Sequence, residues 1–109
     1  MEKLSEKECI PCRGDTPALE GKQLKDLYQQ LDGEWTLVED HHLTREYAFD
    51  DFQGALNFTN RIGKMSEEQG HHPEIYLTWG NVTLKVYTHA INGLSESDFI
   101  WAAKAENLY

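Results

Sequence analysis

The chain has 109 residues, with 19 acidic against 10 basic side chains and a formal net charge of −9. Without a cluster of Lys and Arg, that balance argues against a nucleic-acid surface, where phosphates must be neutralised. No run of about 18 apolar residues is present, which excludes a membrane-spanning helix, while a 39% hydrophobic and 11% aromatic content suffices for one core in one domain.

The N-terminal stretch "MEKLSEKECI" is charged and lacks an apolar signal core, which points to the cytoplasm. Residues 1–18 read as an irregular arm, punctuated by Pro11, Gly14 and Pro17, and residues 19–109 as a single domain. Cys9 and Cys12 have the spacing of half a zinc site or of a redox pair. The redox assignment lacks its βαβ context, and plain thiols in a reducing compartment are the simplest account.

From Glu20 the spacing of Leu24, Leu27, Tyr28 and Leu31 predicts a helix, stopped at Asp32 and Gly33. "EWTLVED" (34–40) and "LTREYAF" (43–49) predict two strands joined at Asp40 to His42. In the second, Leu43, Arg45, Tyr47 and Phe49 share one face. Asp50 or Asp51 can cap the next helix, whose inward stripe is expected to be Phe52, Ala55, Leu56, Thr59, Ile62, Gly63 and Ser66. Phe58 and Met65 lie beside that stripe, and the helix is expected to end near Gly70. "EIYLTW" (74–79) and "VTLKVYT" (82–88) predict a second hairpin about Gly80 and Asn81. "LSESDFIWAAKAENL" closes the chain as a helix, with Ser95 and Asp98 spaced as a capping box. The fold class is therefore α+β in the order α-β-β-α-β-β-α: a four-stranded antiparallel sheet with three helices on one face.

A turn at Gly80 and Asn81 sets Trp79 opposite Val82, Leu77 opposite Leu84 and Ile75 opposite Val86. Continued outward, it brings His72 opposite His89, at the roughly 5 Å Cβ separation of facing residues. Pro73 cannot donate to the ladder, so the expectation is proximity rather than a ladder pair. His71 points the other way, near the end of the preceding helix and four residues after Glu67. Three accounts stand side by side: polar residues at strand ends; a metal site, with Glu67 or Asp98 as outer partners; and metal-free general acid–base chemistry by groups with pKa near neutrality. Adjacent His71 and His72 suit a single ion poorly, because neighbouring side chains diverge in extended structure. His41 and His42 form a second pair, read as an exposed hairpin turn.

The pattern Glu67-x-x-x-His71-His72-Pro73, then five residues to Trp79, nine to His89 and eight to Asp98, resembles the signature of the pterin-4a-carbinolamine dehydratases. That family is also known as a dimerisation cofactor of a liver transcription factor. "CIPCRG", "LTREYAFDDFQGALNF" and "THAINGLSESD" extend the resemblance from about Cys9 to the C-terminus. It implies a hydro-lyase that dehydrates 4a-hydroxytetrahydrobiopterin to the quinonoid dihydropterin in tetrahydrobiopterin recycling, with no metal and no organic cofactor. His71 and His89 are the implied acid–base pair. His72 is implied at the catalytic site mainly to hold substrate, with Pro73, Thr88, Glu67 and Asp98 as further substrate-binding positions and Trp79 as a pocket former. Glu67 is expected to orient or charge His71. Asp98 fits equally well as a structural cap. Ile75 departs from the family pattern, where many members carry Trp.

The partners so implied are a small pterin and further copies of the chain, as homodimer or homotetramer, with no nucleic acid and no membrane. Phe58, Met65, Trp101 and the strand edges are the expected contact surface. The alternatives are a protein-binding helper resembling a transcription coactivator, and an enzyme on another pterin such as those of molybdopterin metabolism.

Overall fold

The computed structural model describes residues 3–10, 14 and 17–109. Helix α1 spans Gly21–Tyr28, strand β1 Thr36–Val38, β2 His42–Ala48, α2 Phe52–Gln69, β3 Glu74–Thr78, β4 Asn81–Val86 and α3 Glu96–Glu106, with 3-10 turns at Leu4–Glu6 and His89–Ile91. The strands form one antiparallel sheet in the order β1-β2-β4-β3. This is the expected α+β fold, with three helices and a four-stranded antiparallel sheet.

Strand alternation decides which sheet face is covered. Leu43 and Tyr47 on β2, and Val82, Leu84 and Val86 on β4, are buried. Their neighbours Glu46, Tyr76 and Thr78 point to solvent. Arg45 shares the covered face and is kept there by an ion pair with Asp32 at 2.7 Å and by the Tyr47 ring, 4.3 Å from its guanidinium. Helix α2 lies against β3 and β4, α3 packs on α2, and α1 packs on α3. Phe58 and Trp101 are fully enclosed in this core, so truncating either to Ala costs about 3–5 kcal/mol. The aliphatic and aromatic run of α3 from Phe99 to Ala103 is buried all round, the pattern of a central helix. Its remaining side is covered by the N-terminal segment: Leu4 is buried and Lys104 Nζ donates to the Ser5 carbonyl at 2.9 Å.

Several local expectations shift. Helix α1 ends at Tyr28; the chain tightens into three-residue turns, Gln30 and Leu31 donating to Leu27 and Tyr28, and these still bury Leu31. The first hairpin turns at Glu39 and Asp40, so His42 is already a strand residue paired with Val38. On α2 the buried line is Ala55, Phe58, Ile62, Met65 and Ser66, whereas Phe52 is exposed and Leu56, Thr59 and Gly63 lie at the margin. Both lines satisfy helical spacing, and packing on the sheet and α3 selects the first.

The second hairpin turns at Trp79 and Gly80, with Leu77 opposite Val82, Ile75 opposite Leu84 and Glu74 opposite Lys85. The slip from the expected pairing is two residues. It leaves every side chain on its expected face but no longer sets His72 opposite His89. Gly80 is in the turn as expected, but Asn81 already opens β4 and Trp79 takes its place in the turn. Gly80 also serves close approach, the Phe49 N–H donating to its carbonyl at 2.9 Å and a Cβ there meeting the Phe49 carbonyl at 3.2 Å. Trp79 sits at the hairpin tip, 68% exposed and at the opposite end of β3 from His72.

Candidate active site

The expected histidines gather where α2 ends, β4 ends and α3 begins. Asp51 caps the start of α2, accepting from the Gly54 N–H at 2.8 Å. At the other end Gly70 takes a left-handed φ of 62°, with its N–H on Glu67 and the His71 N–H on Ser66. This paired closure is a Schellman motif, whose left-handed position favours glycine. It turns the chain sharply and delivers His71 off the helix end.

His71 meets Asp98, its Nε2 2.6 Å from Oδ1. Asp98 is fully buried and occupies the first turn of α3, where the helix dipole favours an anion. Its Oδ2 accepts from the Ser95 N–H at 2.9 Å, the capping contact expected from the sequence, and from Thr88 Oγ1 at 2.7 Å. The carboxylate therefore caps α3 and holds an imidazole at the same time. Burial of a carboxylate is costly unless its oxygens are filled in this way. The contact also settles the His71 tautomer. Nε2 carries the proton donated to Asp98, which leaves Nδ1 as the nitrogen free for other chemistry.

Thr88 is buried and committed to Asp98 and to Ser95 Oγ, 2.8 Å away. Its backbone exchanges hydrogen bonds with Gly93, which pins both ends of the turn carrying His89. Its side chain thus holds Asp98 in place. His72 is exposed, and its Nε2 lies 3.6 Å from Glu67 Oε2, itself exposed. Glu67 is therefore beside His72, and the carboxylate that orients His71 is Asp98. Pro73, half-buried, leads from this point into β3. His89 is exposed at its edge, its ring stacked on Tyr87 with centroids 4.3 Å apart and planes at 24°.

Between these groups lies an open cleft of about 260 Å³ lined by Gly70, His71, His72, Tyr87, Thr88, His89 and Ala90. The three histidines singled out from the sequence therefore share one cavity, and Asp98 stands directly behind it. The Glu67 side chain reaches the site through His72. Trp79, at the far hairpin tip, does not line the cleft. Tyr87 was missed: in sequence it is an ordinary strand residue, and only its stacking on His89 reveals it.

Among the described residues no three His, Cys, Asp or Glu side chains converge on a point where they could hold an ion. Cys9 is half-buried, and burial pushes its thiol up to about 11, far from the thiolate a metal needs. Its Sγ donates to the Ser97 carbonyl at 3.4 Å. Cys12 lies outside the described residues.

Comparison with known proteins identifies the family. Residues 17–108 match the family described as pterin 4 alpha carbinolamine dehydratase. A relative from Rubrobacter xylanophilus, provisionally named pterin-4-alpha-carbinolamine dehydratase, is 50% identical over 99% of this chain and 100% of its own. One from Alkaliphilus metalliredigens with the same name is 49% identical over 97% of this chain and 96% of its own. A crystal structure described as a transcriptional coactivator/pterin dehydratase from Brucella melitensis superposes with a TM-score of 0.76 at 27% identity, covering 84% of this chain and 97% of that one. By this family match and these near-full-length relatives, the chain belongs to the pterin 4α-carbinolamine dehydratase family.

Proposed function

We propose that the chain dehydrates a pterin 4a-carbinolamine, 4a-hydroxytetrahydrobiopterin, to the quinonoid dihydropterin in tetrahydrobiopterin recycling, by histidine general acid–base catalysis. The observation that carries this reading is the His71–Asp98 pair opening on a cleft that His89 and His72 also line. The reaction breaks the C4a–O bond. One imidazolium protonates the departing hydroxyl so that it leaves as water, and one neutral imidazole takes the proton from N5. The electron pair of the N5–H bond forms the new C4a=N5 double bond. His71 and His89 are the acid–base pair. The His71 Nδ1 is free for that exchange because Asp98 occupies Nε2. His72, with Glu67 beside it, and Pro73 contact the substrate at the rim. Thr88 and Asp98 fix the geometry from behind.

General acid–base groups are worth about 10²–10⁴-fold each. His71→Ala and His89→Ala should each lower kcat above the uncatalysed background by that order. Their losses should not add fully, since both serve one transition state. A folded double variant His71→Ala/His89→Ala with wild-type turnover would overturn the assignment. Running the assay on carbinolamines with different C6 side chains tests the biopterin preference. Comparable turnover of all of them would favour a broader pterin substrate. Dialysis against a chelator should leave turnover unchanged; a loss restored by zinc would refute metal-free chemistry.

The same reading includes self-association as homodimer or homotetramer. Phe58, Met65 and Trp101 are consumed by the core. The contact surface is instead the unpaired edges of β1 and β3 and the exposed Phe52, Tyr76 and Trp79. Sedimentation at micromolar concentration should show no predominant 12.6 kDa species; a single species of that mass would refute it.

A further inference from the structure

The pair His41 and His42 was expected to be an exposed turn without consequence, yet it reaches the loop that carries His89. Glu39 and Asp40 both adopt left-handed backbone, at φ 52° and 55°, and the His41 N–H closes the turn onto the Val38 carbonyl at 2.9 Å. Two successive left-handed residues are usually Asn or Gly, and here they open a three-residue loop between the paired Val38 and His42. It projects the His41 side chain towards the turn His89–Ile91. There His41 Nε2 lies 2.8 Å from Asn92 Oδ1. Asn92 closes that turn, its own N–H on the His89 carbonyl at 3.1 Å and its φ at 48°.

The same imidazole packs on Tyr87, with centroids 4.5 Å apart, and Tyr87 in turn stacks on His89. His41 therefore touches both the residue that closes the His89 turn and the ring on which the His89 imidazole rests. The tautomer follows. Asn92 Oδ1 accepts from His41 Nε2–H, so in the neutral pair His41 Nδ1 accepts from His42 Nδ1–H across 3.0 Å.

We propose that His41 is a positioning residue for His89, acting through Asn92 and Tyr87. This rests on the reading of His89 as an acid–base group. Small displacements of a reacting group are expensive, and His41→Ala should lower kcat about tenfold with KM within about twofold. The thermal midpoint should stay close to wild type. His41→Gln, whose amide nitrogen reaches as far as imidazole Nε2, should recover most of the turnover. Asn92→Gly keeps the left-handed backbone accessible and removes the acceptor, so it should match His41→Ala. In a His89→Ala background, His41→Ala should cost nothing more.

A readout without substrate separates this inference from the proposed reaction. In substrate-free protein the Tyr87 ring current should displace the His89 ring protons upfield in the NMR spectrum, and the displacement should shrink in His41→Ala. Wild-type kcat with unchanged His89 resonances, or a loss that adds in full to that of His89→Ala, would overturn the proposal. If His89→Ala itself keeps full turnover, the proposed function fails, while the resonances still decide whether His41 holds His89.

Discussion

The two adjacent histidine pairs of this chain look alike in sequence and are used differently in space. His71 and His72 follow a Schellman closure, so one ring turns inward onto a buried carboxylate and the other outward onto an exposed one. His41 and His42 follow a tight hairpin turn and bond to each other, with Asn92 and Tyr87 as outer neighbours. A buried anion bonds the first pair directly, whereas the second bonds to neutral partners, with Lys85, Glu39 and Glu74 as charged neighbours of His42. The difference teaches that the identity of the group behind an imidazole, rather than the His-His dipeptide, separates a candidate acid–base centre from a support.

The sharpest way to break that comparison is to change the anion. Asp98→Asn keeps the shape and an acceptor for Ser95 and Thr88, but its amide faces His71 Nε2 and calls for the other tautomer. We expect kcat to fall by about 10²-fold or more with KM little changed; steady-state kinetics with near-wild-type kcat would show that Asp98 is only a cap. Asp98→Ala should in addition cost about 1–3 kcal/mol of stability in denaturant titration, because the Ser95 N–H and the His71 Nε2–H lose their acceptor.

Within the first pair, His72→Ala should raise KM roughly threefold to tenfold, the worth of one hydrogen bond, while leaving kcat near wild type. A fall in kcat as large as that of His71→Ala would erase the distinction between the inner and the outer ring. Glu67→Gln should have a smaller effect still, under about twofold in kcat/KM, because exposed ion pairs contribute about 0–1 kcal/mol.

The last test concerns the second pair and pH. Burial first, then Lys85 and His41, hold His42 below the usual histidine range. The unfolded chain therefore binds a proton more readily than the folded one. That stabilising contribution is present above the unfolded pKa, near 6.5, and is lost as pH falls through the lower folded value. Thermal midpoints measured from pH 7.5 down to pH 5 should fall more in the wild type than in His42→Gln. Parallel curves would show that His42 takes up no proton linked to unfolding.

Much of this was legible before the fold was known. The cap at Asp51, the stop at Gly70 and the Ser95–Asp98 box all lie within a few residues of what they bond. Strand faces followed from alternation, and a two-residue slip in register could not disturb them. What failed was what needed distant neighbours. Gly80 was rightly placed in the second turn, but Asn81 was taken as its companion in place of Trp79, and the backbone contact of Gly80 with Phe49 lies far away in sequence. The centre of the α2 face was misplaced because two lines of residues share the helical period. Glu67 was taken as the partner of His71 because it is four residues away, whereas Asp98 is 27 away.

By itself, then, the sequence determined the order of elements, the face each strand buries and the set of ionisable groups available to a pterin. Those properties rest on backbone hydrogen bonds and side-chain periods that span only a few residues. The tertiary structure decided which carboxylate stands behind which imidazole, which aromatic ring supports His89 and which apolar residues the core consumes. Such choices depend on contacts between elements far apart in the chain, and no local spacing encodes them.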